Sequence, residues 1–357
     1  MRVYNFSAGP SMLPMDVLKK AQAEFLDYEG SGMSITEMSH RGKVFDAVAK
    51  KCEALFREVM GISDDYHVLF LQGGASQQFD AIPLNLMKTG KADYIVTGNF
   101  SGKAAKEAAR YGDVKIVASS KEDNFTYIPK VSYEDFRADA DYVHITSNNT
   151  IFGTRYAEFP KTPTPLVCDM SSEILSRVVD VNKFGLIYAG AQKNIAPAGL
   201  TIVIVRKDLA ETSTPNCPTM LKYSTQANAE SMYNTPPCFP IYMAMLVLEW
   251  IKGLGGVKEI QKINEYKAGL LYDFIDNSSY FTNSVHKDSR SIMNVPFVTP
   301  SAESDAEFVK EAANAGLVSL KGHRLVGGMR ASIYNAMPVE GVEKLIAFMK
   351  DFEMKHK

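Results

Sequence analysis

The stretch "GLIYAGAQKNIAPAGLTIVIV" (185–205) places one lysine, Lys193, between two apolar segments. The second of these, 200–205, is continuous and β-branched, which is typical of a buried strand. The connection is rich in glycine, alanine and proline and carries no acidic side chain. Burial lowers the pKa of an ammonium group, and a neutral amine is what Schiff-base formation requires. The alternative is a loop lysine whose flexible side chain carries its charge to water.

Short apolar segments alternate with helical patterns around this stretch, as in "SGKAAKEAARY" (101–111). The predicted strands are 68–71, 94–97, 114–117, 142–146, 166–168, 186–188 and 200–205. Such alternation favours an α/β fold with a mostly parallel, doubly wound sheet. Near 254–256 the pattern changes to a long helix, Val257 to about Asp276, and then strands at 291–298 and 329–333. A chain of 357 residues is long enough for two domains, so we expect a smaller α+β domain at the C-terminus.

Composition and charge exclude several classes of function. A net charge of -2, without a basic run, argues against binding to nucleic acid or to an anionic membrane. The four cysteines form no CxxC pair and the chain has no HExxH motif, so we expect reduced thiols and no metal. No signal-peptide pattern and no apolar stretch of transmembrane length is found, which favours a cytoplasmic protein.

Residues whose side chains could bind a ligand or take part in catalysis follow several of the predicted strands. Ligands of parallel sheets bind outside the carboxyl ends of the strands. The residues found there are the double glycine of "QGGAS" (72–76), Phe100, the cluster "SNNT" (147–150), Asp169 and Lys193. A helix is predicted from Gln77, and a double glycine before a helix lets backbone N–H groups approach a phosphate. Each feature also has an ordinary alternative, namely a tight turn, a core ring, polar turns, a helix N-cap at Asp169, or a solvated lysine.

Taken together, these residues match the chemistry of one cofactor, pyridoxal phosphate. That molecule has a phosphate, a flat ring, a phenolic oxygen, a pyridine nitrogen that pairs with a carboxylate, and an aldehyde that condenses with lysine. We therefore predict that Asp169 keeps the ring nitrogen protonated and that Lys193 bonds the aldehyde. The small neighbours of Lys193 would leave room for the ring.

Longer motifs carry a resemblance that spans nearly the whole chain. They are "NFSAGP" (5–10), "SHRGKVF" (39–45), "LQGGASQQFDAIPLNL" (71–86), "SNNTIFGT" (147–154), "CDMSSEILSR" (168–177), "GAQKNIAPAGL" (190–200), "YNTPPCFPIY" (233–242) and "GHRLVGGMRASIYNAM" (322–337). In this order they resemble the phosphoserine aminotransferases, class V members of the fold-type I pyridoxal phosphate enzymes. The fold that this implies has a large cofactor-binding domain, residues 15–262, and a small domain formed by 1–14 and 263–357.

The resemblance also implies roles for individual residues, with Lys193 and Asp169 as the catalytic pair. The implied cofactor contacts are Ala75, Ser76, Phe100, Thr150, Asp169, Gln192 and Lys193, with Asn234 and Thr235 reaching the phosphate from the other subunit of a homodimer. Two positions depart from the family pattern. Phe100 stands where tryptophan is frequent, while the single tryptophan of the chain is Trp250, and Ser76 stands where some members have arginine.

Substrates with an α-carboxylate and a distal anion require cationic donors, for which arginine is well suited because it binds carboxylate and phosphate bidentately. The candidates are His40, Arg41, His323, Arg324 and Arg330. Arg330 resembles the α-carboxylate clamp of the family, and His40 and Arg41 resemble the pair at the distal anion. Each of these could instead be a solvated surface charge. Ser7 is a further candidate, although a turn explains it equally well.

The implied reaction is amino transfer between L-glutamate and 3-phosphohydroxypyruvate, and also its four-carbon homologue on the route to pyridoxal phosphate. One alternative is another class V enzyme, either a serine– or alanine–glyoxylate aminotransferase or a cysteine desulfurase. A desulfurase needs a nucleophilic cysteine, which Cys217 or Cys238 would have to supply. A non-catalytic pyridoxal phosphate- or nucleotide-binding module is the other alternative, but it leaves Asp169 and the His–Arg pairs without a role.

Overall fold

The computed structural model describes residues 2–356 and forms a layered α/β structure. Its strands are β1 (Tyr4–Asn5), β2 (Tyr66–Leu71), β3 (Lys91–Val96), β4 (Asp113–Ser119), β5 (Tyr142–Thr146), β6 (Asn148–Asn149), β7 (Thr154–Arg155), β8 (Leu166–Asp169), β9 (Leu186–Gly190), β10 (Thr201–Arg206), β11 (Asn294–Phe297), β12 (Leu317–Val318) and β13 (Met329–Ser332). Its α-helices are α1 (Met15–Ala23), α2 (Lys43–Met60), α3 (Gly74–Leu86), α4 (Asn99–Ala108), α5 (Lys207–Ala210), α6 (Tyr223–Asn228), α7 (Cys238–Gly253), α8 (Val257–Asn277), α9 (Ala302–Asn314) and α10 (Val339–His356).

The central sheet has seven strands in the order β2-β10-β9-β8-β5-β3-β4. Strand β10 runs antiparallel to both of its neighbours, and every other pair is parallel, so the predicted mostly parallel sheet is confirmed. The exception has a physical reason, since a parallel return needs a crossover of about a dozen residues or more and the β9–β10 connection is shorter. The carboxyl ends of β2, β3, β5, β8 and β9 therefore meet at one edge of the sheet, where β10 begins.

Helices cover both faces of this sheet, as a doubly wound fold requires. Successive side chains of a strand point to opposite faces, and in β10 Ile202 and Ile204 belong to one hydrophobic core while Val203 and Val205 belong to another. The first core also contains the buried faces of α2 and α7, and the second contains those of α3 and α4. The continuous apolar run of β10 follows from this burial on both faces.

A third core lies outside the sheet and joins the N-terminal residues Phe6 and Met12 to the C-terminal elements. Helix α8 connects the two regions, because Ile260 packs in the first core and Leu271 packs in the third. The predicted long helix is thus confirmed, with its end at Asn277. The domain boundaries at 14/15 and 262/263 stay a proposal, which this separation of the cores supports.

Several predicted element bounds were wrong, as for the strand expected at 94–97, which is β3 (Lys91–Val96), and two of the differences have a clear physical reason. Helix α3 begins at Gly74 and not at Gln77, because Gly73 and Gly74 make the turn with φ values of 85° and 68°, which favour glycine. The strand expected at 291–298 is shortened to β11. Its first residues form a turn, in which the Ser291 hydroxyl accepts the backbone N–H groups of Met293 and Asn294.

Within residues 2–356 no single helix combines the length and apolar character needed to cross a membrane, and only the bent pair α7 and α8 meets that test jointly.

Candidate active site

Lys193 lies just after β9, at the edge where the carboxyl ends of the strands meet. Its Nζ donates hydrogen bonds to Thr150 Oγ1 at 2.8 Å and to Ser172 Oγ at 2.5 Å. Burial, and to a smaller extent the positive charge of Arg330, lower the pKa of the amine to about 8 against the opposing effect of the Asp169 charge. The amine is therefore held by two hydroxyl groups and is easily deprotonated, which argues against a lysine that simply reaches water.

The N-terminal segment packs on the loop that carries this lysine. Ser11 donates its hydroxyl proton to the Lys193 carbonyl and its backbone N–H to the Gln192 carbonyl, the latter at 3.0 Å. Gly9 has a φ of 139°, and a Cβ there would stand 3.5 Å from the side chains of Gln192 and Lys193. Contacts from a distant part of the chain thus fix the backbone of the lysine loop.

Asp169 is the last residue of β8 and is buried. Its Oδ1 accepts the backbone N–H of Ser171 at 2.9 Å in a turn that is not followed by an α-helix, so the N-cap interpretation was wrong. Burial is the largest influence and raises the pKa of the carboxyl group, while hydrogen bonds from Ser171 and the charge of Lys193 lower it. A buried carboxylate with spare acceptor capacity is suited to a protonated ring nitrogen.

Thr150 and Phe100 both lie close to the Lys193 amine. The Thr150 hydroxyl hydrogen-bonds to Ser172 as well as to the amine, and its carbonyl accepts from Arg330 Nη1 at 3.2 Å. Phe100 stands in the first turn of α4, with its ring centroid 5.9 Å from Lys193 Nζ. A flat ring bonded to the amine could therefore stack on the Phe100 ring and hydrogen-bond to the Thr150 hydroxyl.

The start of α3 offers a place for a phosphate. Ala75 and Ser76 lie in the first turn of this helix, whose N-cap, Gly73, provides no side-chain cap. The first N–H groups of a helix lack intrahelical partners and carry a partial positive charge. Gln192 folds against Gly190, where a Cβ would stand 2.8 Å from its Oε1. These residues fit pyridoxal phosphate, with a bare helix N-terminus for its phosphate and a buried carboxylate for its nitrogen.

Arg330, on β13, has a hydrogen-bond donor that is unpaired within the described part of the chain, and it lies next to this site, because its Nη1 donates to the Thr150 carbonyl. Its Nε is buried and has no hydrogen-bond partner among residues 2–356, and burial lowers the pKa of the guanidinium group. Burial lowers the pKa of His323, and the charges of Arg330, Arg324 and Lys103 lower it further, so these cations lie in one region. Such a region is suited to an anionic ligand.

The structure of one chain does not bring every predicted residue to Lys193. Arg41 is exposed, and His40 has a buried Nε2 without a partner among the described residues. Asn234 donates to Gln72 Oε1 at 3.0 Å, and Thr235 is exposed. The Ser7 hydroxyl accepts the Gly9 backbone N–H at 3.4 Å, which is the turn considered as its alternative.

Two residues of the site were missed by sequence reasoning. Ser172 bonds the Lys193 amine, and its signal was its place inside the quoted motif "CDMSSEILSR". Lys103 lies with its Nζ 5.8 Å from the Phe100 ring centroid, and the i,i+3 spacing on a helix could have indicated it. A desulfurase would need a thiolate from Cys217 or Cys238. Burial raises the pKa of both thiols, which disfavours the reactive thiolate form.

Comparison with known proteins agrees with this geometry. The family model for class-V aminotransferases matches residues 3–345. A phosphoserine aminotransferase of Bacillus cereus is 56% identical over 358 residues, covering 100% of this chain and 99% of that protein. The solved phosphoserine aminotransferase of Bacillus circulans subsp. alkalophilus superimposes with a TM-score of 0.97 at 50% identity, covering 100% of this chain and 99% of the other.

A structure of phosphoserine aminotransferase from Trichomonas vaginalis with bound pyridoxal phosphate also matches, with a TM-score of 0.93 and 39% identity over 98% of this chain and 100% of the other. The cofactor of this chain is pyridoxal phosphate, as the residues at the edge of the sheet predicted. The chain therefore belongs to the class-V aminotransferases and, within them, to the phosphoserine aminotransferases, which transfer the amino group between L-glutamate and 3-phosphohydroxypyruvate in serine biosynthesis.

Proposed function

We propose that Lys193 is the catalytic amine of this transaminase and that Asp169 is the partner of the cofactor's ring nitrogen. When bound, pyridoxal phosphate supplies an aldehyde for bonding to amines and a protonated ring that withdraws electrons from the substrate Cα. A neutral Lys193 can bond that aldehyde and, once released, can carry the Cα proton. The observation that carries the proposal is the Lys193 amine held by Thr150 and Ser172, with its pKa lowered to about 8.

Other residues orient the cofactor. Asp169 accepts a hydrogen bond from the protonated ring nitrogen, Thr150 hydrogen-bonds to the phenolic oxygen, and Phe100 stacks on the ring. Ala75, Ser76 and Gln192 bind the phosphate. The first-turn position of Ala75 and Ser76 and the placement of Phe100 beside the lysine amine support these roles.

Arg330 binds the α-carboxylate that all amino-acid substrates share. The bare Nε of Arg330 supports this role, because a buried guanidinium donor without a partner is costly unless a ligand satisfies it. His323 and Arg324 bind the distal phosphate, with His40 and Arg41 completing the anion pocket. The same groups would accept 4-phosphohydroxy-L-threonine, so we extend the proposal to this second substrate and to pyridoxine biosynthesis. Ser7 is a further proposed substrate contact, whose hydroxyl also accepts the Gly9 backbone N–H in a turn.

We further propose a cytoplasmic homodimer with shared active sites, in which Asn234 and Thr235 reach the phosphate of the partner's cofactor. Support comes from the exposure of Thr235 and from Asn234, which bonds Gln72 at the end of β2. Sedimentation velocity tests the dimer. A monomer with full activity would exclude shared sites.

The visible absorption spectrum tests the catalytic proposal directly. We expect purified protein to carry a visible band that shifts when phosphoserine is added and that shifts much less with serine. The matched variant is Lys193→Ala, in which the cofactor can still bind through its phosphate and ring but cannot bond the protein. If Lys193→Ala showed the same band and the same shift, Lys193 would not be the catalytic amine.

A further inference from the structure

A buried histidine lies below the site and takes no part in the roles described so far. His144, on β5, is 1% exposed, and its ring stacks on Tyr94 with centroids 4.7 Å apart and planes 19° apart. Its Nε2 lies 2.9 Å from the Tyr188 hydroxyl, while its Nδ1 is buried without a partner among residues 2–356. Burial lowers the pKa of His144 to about 3, so the ring is neutral and carries one N–H.

Tyr188 is a neighbour of both this histidine and Asp169. It is fully buried on β9, in register with Asp169 on the adjacent parallel strand β8. Because registered neighbours share one face of a sheet, both side chains point the same way. The Tyr188 hydroxyl is close enough to the Asp169 carboxyl group to lower its pKa, as a hydrogen-bond donor does. His144, Tyr188 and Asp169 thus form a buried polar row on one face of the sheet, across the three strands β5, β8 and β9.

The chemistry of these groups sets the direction of the hydrogen bonds. An ionised carboxylate can only accept, whereas a tyrosine hydroxyl donates once and can also accept. A buried charged acceptor costs more to leave unsatisfied than a neutral one. In the most favourable arrangement, therefore, the Tyr188 hydroxyl donates its hydrogen bond to Asp169, and the Nε2–H of His144 donates to the Tyr188 oxygen. The remaining bare group is then the neutral lone pair at Nδ1.

We propose that Tyr188 and His144 are positioning residues for Asp169, with His144 orienting the Tyr188 hydroxyl so that it donates to the Asp169 carboxylate and holds it ionised toward the cofactor. This inference rests on the proposed pairing of Asp169 with the ring nitrogen. Among residues 2–356 the hydrogen-bond partners of the Lys193 amine are Thr150 and Ser172, so Tyr188 and His144 act at one remove from it. Their effect on the reaction passes through the protonation of the ring.

Tyr188→Phe tests the first link, with Tyr142→Phe as a matched control. Both tyrosines are fully buried in the same core, and among residues 2–356 the Tyr142 hydroxyl hydrogen-bonds to Tyr94 alone, at 2.8 Å. Each variant is loaded with pyridoxal phosphate carrying ¹⁵N in the ring, and the ring-nitrogen chemical shift is measured by NMR. We expect a shift toward the unprotonated nitrogen in Tyr188→Phe and none in Tyr142→Phe. Affinity of the apoprotein for the cofactor should fall about 10-fold, the weight of one hydrogen bond to a charged group.

His144→Phe tests the second link, because phenylalanine keeps the stack on Tyr94 but removes Nε2. We expect a smaller loss of cofactor affinity, about 2- to 5-fold, and no further loss when it is added to Tyr188→Phe, since coupled residues give non-additive effects. Equal losses in both backgrounds would overturn the proposed order of the row. If Tyr188→Phe did not fold, the ring-nitrogen shift would be measured in His144→Phe instead, and an unchanged shift there would overturn the proposal.

Asp169→Asn separates this inference from the function on which it rests. A changed ring-nitrogen shift in Asp169→Asn with an unchanged one in Tyr188→Phe would overturn the inference and leave the role of Asp169 intact. An unchanged shift in Asp169→Asn would overturn both. A change in both variants, with Tyr142→Phe like the wild type, is the expected result.

Discussion

The acidity of Lys193 gives a quantitative prediction for the apoprotein. With a pKa of about 8, the amine is neutral in roughly 9% of molecules at pH 7, against about 0.03% for an ordinary lysine. The neutral fraction, and with it the rate of reaction with amine-selective reagents, should rise about 10-fold between pH 7 and pH 9 and then level off. The rise follows the loss of a proton, so its direction is upward with pH.

Competitive acylation of the apoprotein, quantified by mass spectrometry of the Lys193 peptide, measures this profile. The exposed lysine Lys258 serves as the internal reference. Two variants should move the midpoint in opposite directions, because the charge of Arg330 lowers the pKa of Lys193 and the charge of Asp169 raises it. We expect Arg330→Gln to raise the midpoint and Asp169→Asn to lower it.

Two results would refute this reasoning. A wild-type midpoint near that of an ordinary lysine would mean that burial does not control the amine. A displacement of both variants in the same direction would mean that the substitutions act through a general change of structure and not through charge.

The remaining predictions concern catalysis and specificity. Lys193→Ala should lower transamination by several orders of magnitude, and more than about a tenth of wild-type turnover would contradict its role. Asp169→Asn keeps the shape of the side chain and should lower kcat far more than the melting temperature; parallel losses would favour a purely structural residue. Phosphoserine should be preferred over serine by about 10²–10⁴ in kcat/KM, since serine leaves the cations of the anion pocket unpaired. Arg41→Ala should erase much of that preference, whereas Arg330→Ala should weaken both substrates alike, and an equal loss for both substrates in Arg41→Ala would refute the anion pocket.

Much of this protein could be predicted from local sequence. The sequence predicts that strand β10 is buried on both faces, because every residue from 201 to 205 is apolar or β-branched. The structure confirms this, since its side chains enter two hydrophobic cores on opposite faces of the sheet. The turn before α3 could be predicted from Gly73 and Gly74, since only glycine enters positive φ freely. The cofactor could be predicted because residues that follow parallel strands meet at one edge whatever the strand order.

Other features depend on contacts between residues far apart in the chain. Ser172 and Thr150 lie 21 and 43 positions from Lys193, and the Thr150 carbonyl lies 180 positions from Arg330. Nothing in the local pattern distinguishes the serine that bonds the amine from its neighbour Ser171, or marks His144 as part of a row that ends at Asp169. Sequence periodicity reflects the backbone geometry of one element at a time, and so it determined the strands, the glycine turn and the set of residues at the edge. Strand order and register arise only when all elements pack together, and so the tertiary structure alone decided which hydroxyl groups hold the lysine and which side chains stand behind the aspartate.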